Sequence, residues 1–348
     1  MSTTRVVITG AGWVTPLGDD LDAVWERMLR GESAIRPVEH FDARTFATNF
    51  ASQVSGFELA KFLGPRAERH ECGSFATRFA LAAAIRAWES AGFGPAMIEL
   101  GASRKSDAFD PKRFGVYLGS GEGRVDFENF VRSNYQGWDD ETRRIDFRRW
   151  MPAAARNLIP ARELEQEPAM CIAHVSAELG CRGPVSNCMT ACAASTQAVG
   201  EAFELIRRGD ADVMLAGGAH SMIHPLGMTG FIRLTAMSKR NDDPATACRP
   251  FDATRDGFVM GEGAGMVILE SLEHAQKRGA NIIAEVAGFG SSADAYRITD
   301  IHPEGAGAAA AMRRALEQAG IDPSSKDASG RPAVHWINAH GTGTKEND

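Results

Sequence analysis

The chain contains no apolar run approaching the ~18 residues that cross a bilayer as a helix, which excludes a hydrophobic membrane span of that kind. It has no surplus of positive charge either. Its 38 Lys and Arg stand against 45 Asp and Glu, a net charge of −7, which excludes a chain-wide attraction to nucleic acid or anionic membranes. An acidic partner would therefore have to dock on a local basic patch. The start, Met1-Ser2-Thr3-Thr4-Arg5, has no signal-peptide core, so a cytoplasmic protein is expected. Paired cysteines are also missing. Cys72, Cys171, Cys181, Cys188, Cys192 and Cys248 form no framework of the kind that staples small secreted domains. Cys171, His174, Cys181 and Cys188 crowd together but lack the close Cys-x-x-Cys pair of a structural zinc site, so buried thiols are expected there.

What is present points to a globular α/β protein. Apolar residues make up 44% and charged residues 24% of 348, enough for a sizeable core. Apolar stretches alternate with helical ones. Arg5 to Gly10, Phe114 to Leu118, Ala211 to Ala216, Gly265 to Leu269 and Val334 to Ala339 read as strands. Leu21 to Arg30 reads as an amphipathic helix, capped by Asp20 and stopped by Gly31, and Thr77 to Ala91 as an Ala-rich helix closed by Gly92. Residues 124–165 have poor periodicity, many charges and scattered aromatics, and are expected to form a surface excursion with amphipathic helical pieces.

One internal repeat stands out. Residues 82–95, AAAIRAWESAGFGP, align with 310–323, AAMRRALEQAGIDP. Ala82, Ala83, Arg86, Ala87, Glu89, Ala91, Gly92 and Pro95 recur as Ala310, Ala311, Arg314, Ala315, Glu317, Ala319, Gly320 and Pro323. Each copy continues into a charged loop, an expected strand and a Gly-rich turn, Gly119-Ser120-Gly121-Glu122-Gly123 in the first and His340-Gly341-Thr342-Gly343-Thr344 in the second. Two related halves are expected, residues 1–272 with the 124–165 excursion and residues 273–348. The second copy stops soon after its Gly-rich turn and so reads as unfinished.

Chemistry concentrates at Cys192. Gly183 to Met189 reads as a turn plus a short strand, which runs through Thr190-Ala191-Cys192 into a helical pattern that ends before Gly209. Small residues crowd the junction, as a tight strand-to-helix turn requires. A thiol at such a helix start gains from the dipole and from free N–H groups, which favour thiolate and can hold an oxyanion. A buried structural cysteine is the competing reading. His340 follows an expected strand, at the end where ligands collect in α/β folds, with a plain loop histidine as its alternative. Gly10-Ala11-Gly12 follows a strand, but Thr15 replaces the third glycine of a dinucleotide fingerprint. Gly261 to Gly265 precedes a strand rather than a helix, the wrong order for such a site.

These residues resemble those of the β-ketoacyl-acyl-carrier-protein synthases of type II fatty-acid and polyketide synthesis. The resemblance rests on RVVITGAGWVTPLG from Arg5, TACAAST around Cys192, RPFDATRDGFVMGEGAGMVILE from Arg249, AEVAGFGSSADA from Ala284 and NAHGTGTKEND from Asn338. It implies an α/β thiolase-like fold, duplicated halves stacked in α-β-α-β-α layers and paired as a homodimer, here with the second half truncated. It also implies decarboxylative Claisen condensation of an acyl group held on Cys192 with malonyl-acyl-carrier-protein, without a cofactor or metal, and acyl carrier protein as partner. By motif, Cys192 is the nucleophile and an oxyanion donor, and His340 assists decarboxylation. Thr342 and Thr344 hold the pantetheine arm, and Phe231 lines the acyl pocket. Glu122 replaces an apolar residue at the pocket floor, which argues against a long saturated chain. Lys61, Arg66, Arg69, Arg233 and Lys239 are candidates for docking the carrier. The family's Lys, second His and Gly-rich oxyanion loop fall beyond residue 348. An impaired enzyme or a non-enzymatic partner is therefore the alternative, and a thiolase-type acyltransferase a further one.

Overall fold

The computed structural model describes residues 4–94, 109–120, 123, 125–297 and 301–348. In chain order the main elements are β1 (Val6–Val14), α1 (Leu21–Leu29), α2 (Phe75–Ser90), β2 (Phe114–Gly119), α3 (Phe127–Gly137), α4 (Phe147–Asn157), α5 (Met170–Leu179), β3 (Val185–Cys188), α6 (Ala194–Arg207), β4 (Val213–His220), α7 (Pro225–Arg233), β5 (Gly263–Ser271), β6 (Ala284–Val286) and α8 (Ala306–Ala319).

One mixed sheet in the order β6-β1-β5-β4-β2-β3 organises them. β2 runs parallel to β3 and β4, whereas β1, β4 and β6 meet their other neighbours antiparallel. The central strands are near-continuous apolar runs because both sheet faces are covered. On one face α2 and α5 bury Phe79, Leu81, Ile85, Ile172, Val175 and Leu179 against Val116, Leu118, Leu215 and Ile268. On the other, α6 buries Ala202, Phe203 and Ile206 against Val6, Met214, Ala216 and Leu269. Each fully buried side chain of this size stabilises the fold by roughly 1.5–3 kcal/mol. The helix starts are set locally. Asp20 accepts the amide of Ala23 at 2.9 Å and Ser74 that of Thr77 at 3.1 Å.

The repeat is visible as a packing rule. A Cβ on Gly10 would strike the Ala87 carbonyl and Ala91, and one on Gly12 would strike Ala83 and Ala87, so β1 lies directly under α2. A Cβ on Gly288 would strike Ala315 and Ala319, and one on Gly290 would strike Ala311 and Ala315. The alanines correspond position for position with those of the sequence repeat, so Gly10-x-Gly12 and Gly288-x-Gly290 do the same job. Between the second pair, Phe289 turns the other way onto Gly200 of α6. The order from one side is therefore α2 and α5, sheet, α6, segment 288–290, α8.

Three expectations need correction. Val334 to Ala339 is not a strand. A strand exists through its ladder, no described strand lies beside this segment, and Trp336 and Ile337 stay 80% and 66% exposed. The apolar stripe of α1 is mostly uncovered, since Val24 is buried but Trp25, Met28 and Leu29 are exposed. The helix expected to follow Cys192 directly starts at Ala194, and Cys192 itself lies in a 3₁₀ turn over Ala191–Ala193. The 124–165 excursion is helical, as expected, and better ordered than its periodicity suggests. α3 and α4 pack together across a two-stranded link at 138–139 and 144–145, with Trp150 against Gly137 and its indole N–H on Asn134 at 2.9 Å.

Candidate active site

The turn carrying Cys192 is built from strain on one side and a helix start on the other. After β3, Ala191 adopts φ +49°, a left-handed conformation costing about 1–2 kcal/mol for a residue with a Cβ. The strand can then reverse into α6 within a few residues. Gly119, at the end of β2, lies against the backbone of Ala194 and Ser195, which fixes the start of α6 against the sheet. No side chain caps either the 3₁₀ turn or α6; the Ala193 amide donates to the Thr190 carbonyl at 3.2 Å and the Ala194 amide to that of Ala191.

Cys192 is exposed. Its neighbours in sequence are differently placed. Burial pushes Cys171 up to about 11 and Cys181 up to about 12, and raises Cys188 as well. The Cys181 thiol donates to the Phe114 carbonyl at 3.0 Å, the Cys188 thiol to that of Ala194 at 3.1 Å, and His174 turns to His70. The four residues weighed as zinc ligands thus point to separate partners.

The GTGT turn is held by the last residue described. The Asp348 carboxylate accepts the amides of Thr342 at 3.0 Å, Gly343 at 2.7 Å and Phe251 at 3.1 Å. Burial works against this charge, but the Asn347 amide and these backbone donors outweigh it and lower its pKa. Gly343 O accepts from Gly257 N at 3.0 Å, and Thr344 O from Arg255 Nε at 3.1 Å. Thr342 and Thr344 share a hydroxyl hydrogen bond of 2.9 Å. The sequence presented residues 249–270 and 338–348 as separate motifs, whereas the structure joins them. Asp348 was missed because its role joins the nearby amides of Thr342 and Gly343 to Phe251, 97 positions away.

Phe231 extends the same assembly. It sits on α7, edge-on to Phe258 at 5.7 Å, beside the apolar cluster of Ala51, Ile223, Met228, Met237 and Met260. Phe258 follows Gly257, so Phe231, Thr342 and Thr344 are brought together through one segment. His340 is exposed, and among the described residues neither it nor Cys192 makes a side-chain hydrogen bond. Glu122 lies outside the described residues. Of the basic candidates, Arg69, Arg233 and Lys239 are exposed, Lys61 pairs with Glu58 at 3.4 Å, and Arg66 turns inward to Glu178.

Residues 3–275 match the family described as Beta-ketoacyl synthase, N-terminal domain, and residues 283–348 match its C-terminal domain. The chain belongs to the β-ketoacyl synthase family. It is 39% identical over 344 residues to 3-oxoacyl-[acyl-carrier-protein] synthase 2 of Staphylococcus aureus, covering 99% of this chain and 74% of that protein. It is 38% identical to the chloroplastic 3-oxoacyl-[acyl-carrier-protein] synthase I of Arabidopsis thaliana, covering 99% of this chain and 66% of the relative. Among solved structures, a β-ketoacyl synthase from Burkholderia phymatum superposes with a TM-score of 0.80 at 32% identity, covering 99% of this chain and 76% of that one. A type II PKS acyl-carrier protein in complex with its ketosynthase bound to the hexaketide gives 0.77 at 30% identity, covering 100% and 75%. The fold is accordingly the thiolase-like ketosynthase fold. In that setting the duplicated glycine–alanine packing is the signature of its two related halves.

Proposed function

We propose that this β-ketoacyl synthase condenses an acyl group, carried on Cys192, with malonyl-acyl-carrier-protein in fatty-acid or polyketide synthesis. The observation that carries the reading is the Cys192 turn, where an exposed thiol follows a left-handed residue and precedes uncapped helix amides. In the first step the thiolate attacks the acyl thioester carbonyl, the bond to the carrier's pantetheine sulfur breaks, and that thiol leaves. The backbone N–H of Cys192 faces the oxyanion of this step. In the second, malonyl carrier protein loses carbon dioxide, its carbanion attacks the Cys192 thioester, and the Cys192 thiolate is released. His340 is assigned to the developing enolate oxygen, Thr342 and Thr344 to the pantetheine arm, Phe231 to the acyl-pocket wall and Glu122 to its floor.

Acyl carrier protein is the proposed partner, and the exposed Arg69, Arg233 and Lys239 are suited to its acidic surface. A homodimer is proposed through β3, the last strand of the sheet, which has β2 on one side and no described strand on the other. Val185, 44% exposed, lies on this edge.

Incubation with acyl-acyl-carrier-protein followed by peptide mass spectrometry tests the reading. The acyl mass should appear on the peptide containing Cys192 and vanish in Cys192→Ala. Acylation spread equally over Cys72 and Cys248 would defeat it, and no acylation at all would favour a non-catalytic partner.

A further inference from the structure

Five ionisable side chains from distant parts of the chain form one row. Arg66 and His70 come from the turn at 64–70, Glu165 follows the short helix 160–164, and His174 and Glu178 lie on α5. Arg66 and His70 Nε2 both reach the Glu178 carboxylate, the latter at 3.1 Å. His174 Nε2 lies 2.8 Å from Glu165 Oε1. The two imidazoles face each other, Nδ1 to Nδ1, at 2.8 Å. His70, Glu165 and Glu178 are buried, and Arg66 keeps 26% of its side chain exposed.

The proton count of this row follows from its contacts. A nitrogen-to-nitrogen contact of 2.8 Å holds one proton. Without it two lone pairs oppose each other, and with two protons a pair of N–H groups collides. Each imidazole–carboxylate contact likewise holds one. Three contacts therefore hold three protons, one more than two neutral rings and two carboxylates possess. Imidazole is more basic than carboxylate, so the additional proton belongs to the histidines. The pair then carries one positive charge, and with Arg66 it balances Glu165 and Glu178, so the buried row is neutral overall.

The row ends at a small cavity. Glu165 Oε2 and Ser120 Oγ both border it and have no hydrogen-bond partner among the described residues. Ser74, Thr77, Glu167, Cys171 and His220 complete its wall. Burial keeps the Cys171 thiol neutral, with the Glu165 charge adding to the effect. The cavity has room for about one water-sized group. A carboxylate oxygen only accepts, so the group it takes must donate to Glu165. From here contacts continue to the Cys192 turn. The Ser120 carbonyl accepts Asn187 Nδ2 of β3 at 3.1 Å, and Gly119 touches Ala194 and Ser195.

We propose that His70 and His174 share a single proton as one buried cation, and that this cation with Glu165 positions the Ser120 loop against the Cys192 turn. Both histidines and Glu165 are positioning residues, since none touches the reacting atoms. The shared proton stands on geometry alone, whereas the positioning role rests on the condensing-enzyme reading.

Nitrogen-15 labelling of the histidines in the unaltered chain at neutral pH tests the first part. Two of the nine histidines should show protonated Nε2 atoms and Nδ1 atoms coupled through one strongly downfield proton. Two N–H protons on the pair instead of three, or no coupling between the rings, would overturn it. Glu165→Gln tests the second part, because it keeps the shape and removes one balancing charge. The rate of Cys192 acylation should fall about tenfold with carrier affinity unchanged, and Glu165→Asp should restore part of it. An unchanged rate would overturn the positioning role. A chain that never acylates Cys192 would contradict the proposed function while leaving the nitrogen measurement decisive.

Discussion

α2 and α8 are two versions of one helix, each resting on a Gly-x-Gly segment through alanines at matching positions, and they end up in different surroundings. α2 buries eleven residues between the sheet and α5, while α8 buries only Gly307 among its described residues. The close contact on the inner face is therefore written locally, in small residues that let backbones meet. Burial of the outer face, and the existence of the strand that follows, come from whatever else packs there. β2 after α2 is a central strand with neighbours on both sides, whereas Val334 to Ala339 after α8 has no described neighbour and stays irregular.

The two units also differ in their electrostatics, and this gives the largest expected effect. Glu270 of β5 is held by Arg278, His274 Nδ1 at 2.6 Å and the Thr9 hydroxyl of β1. Burial alone would raise its pKa, but these donors overcome burial and bring it from 4.5 to about 2. The carboxylate is less protonated in the folded state than in the unfolded one. Its contribution is complete above about pH 4.5 and is lost as the pH falls toward 2, amounting to about 3 kcal/mol. Denaturant titrations at several pH values should show this loss, and Glu270→Gln should remove the contribution at neutral pH and flatten the acid limb. Ala287, the residue before Gly288, stands where Thr9 precedes Gly10, so the second unit has no such lock.

Substitution at the matched glycines sharpens the comparison further. Gly12→Ala should cost about 2–3 kcal/mol, because α2 is held from both sides and cannot retreat from the new Cβ. Gly290→Ala should cost about 1 kcal/mol, because α8 is open on its outer face and can shift away. Equal losses in thermal unfolding would show that the outer layers do not restrain α2. Hydrogen exchange adds an independent reading, with α2 amides protected close to the global limit and α8 amides opening more readily. The smallest effect is expected at the Cys192 turn. Ala191→Gly removes the left-handed strain and should stabilise the chain by up to about 1 kcal/mol, less whatever entropy glycine adds to the unfolded state. A destabilised variant would mean that the Ala191 methyl makes packing contacts worth more than the strain.

Much of this was legible in the sequence because it is local. Asp20, Gly31 and Gly92 mark helix ends through contacts within a few residues, and the Ala-rich repeat exposed the duplication. Gly10-Ala11-Gly12 was read only as an incomplete dinucleotide fingerprint, because its close packing against α2 needed the helix in place. The Cys192 turn was readable from small residues between a strand and a helix, although its 3₁₀ start was not. The Arg66–Glu178–His70–His174–Glu165 row was invisible because its members lie up to 112 positions apart and none belongs to a motif. Asp348 stood inside a quoted motif, but its contact with Phe251, 97 positions away, could not be read there. Val334 to Ala339 misled because strand propensity describes a segment, while a strand is a relation between two segments.

The central claim is that the Cys192 turn is the acyl-accepting site. Its most direct test is the rate of thioester formation from acyl-acyl-carrier-protein, followed by intact mass with Cys192→Ala and Cys72→Ala chains alongside. The account predicts one acyl group per chain, kept in Cys72→Ala and lost at least about 10³-fold in Cys192→Ala. Acylation that persists without Cys192 would contradict it.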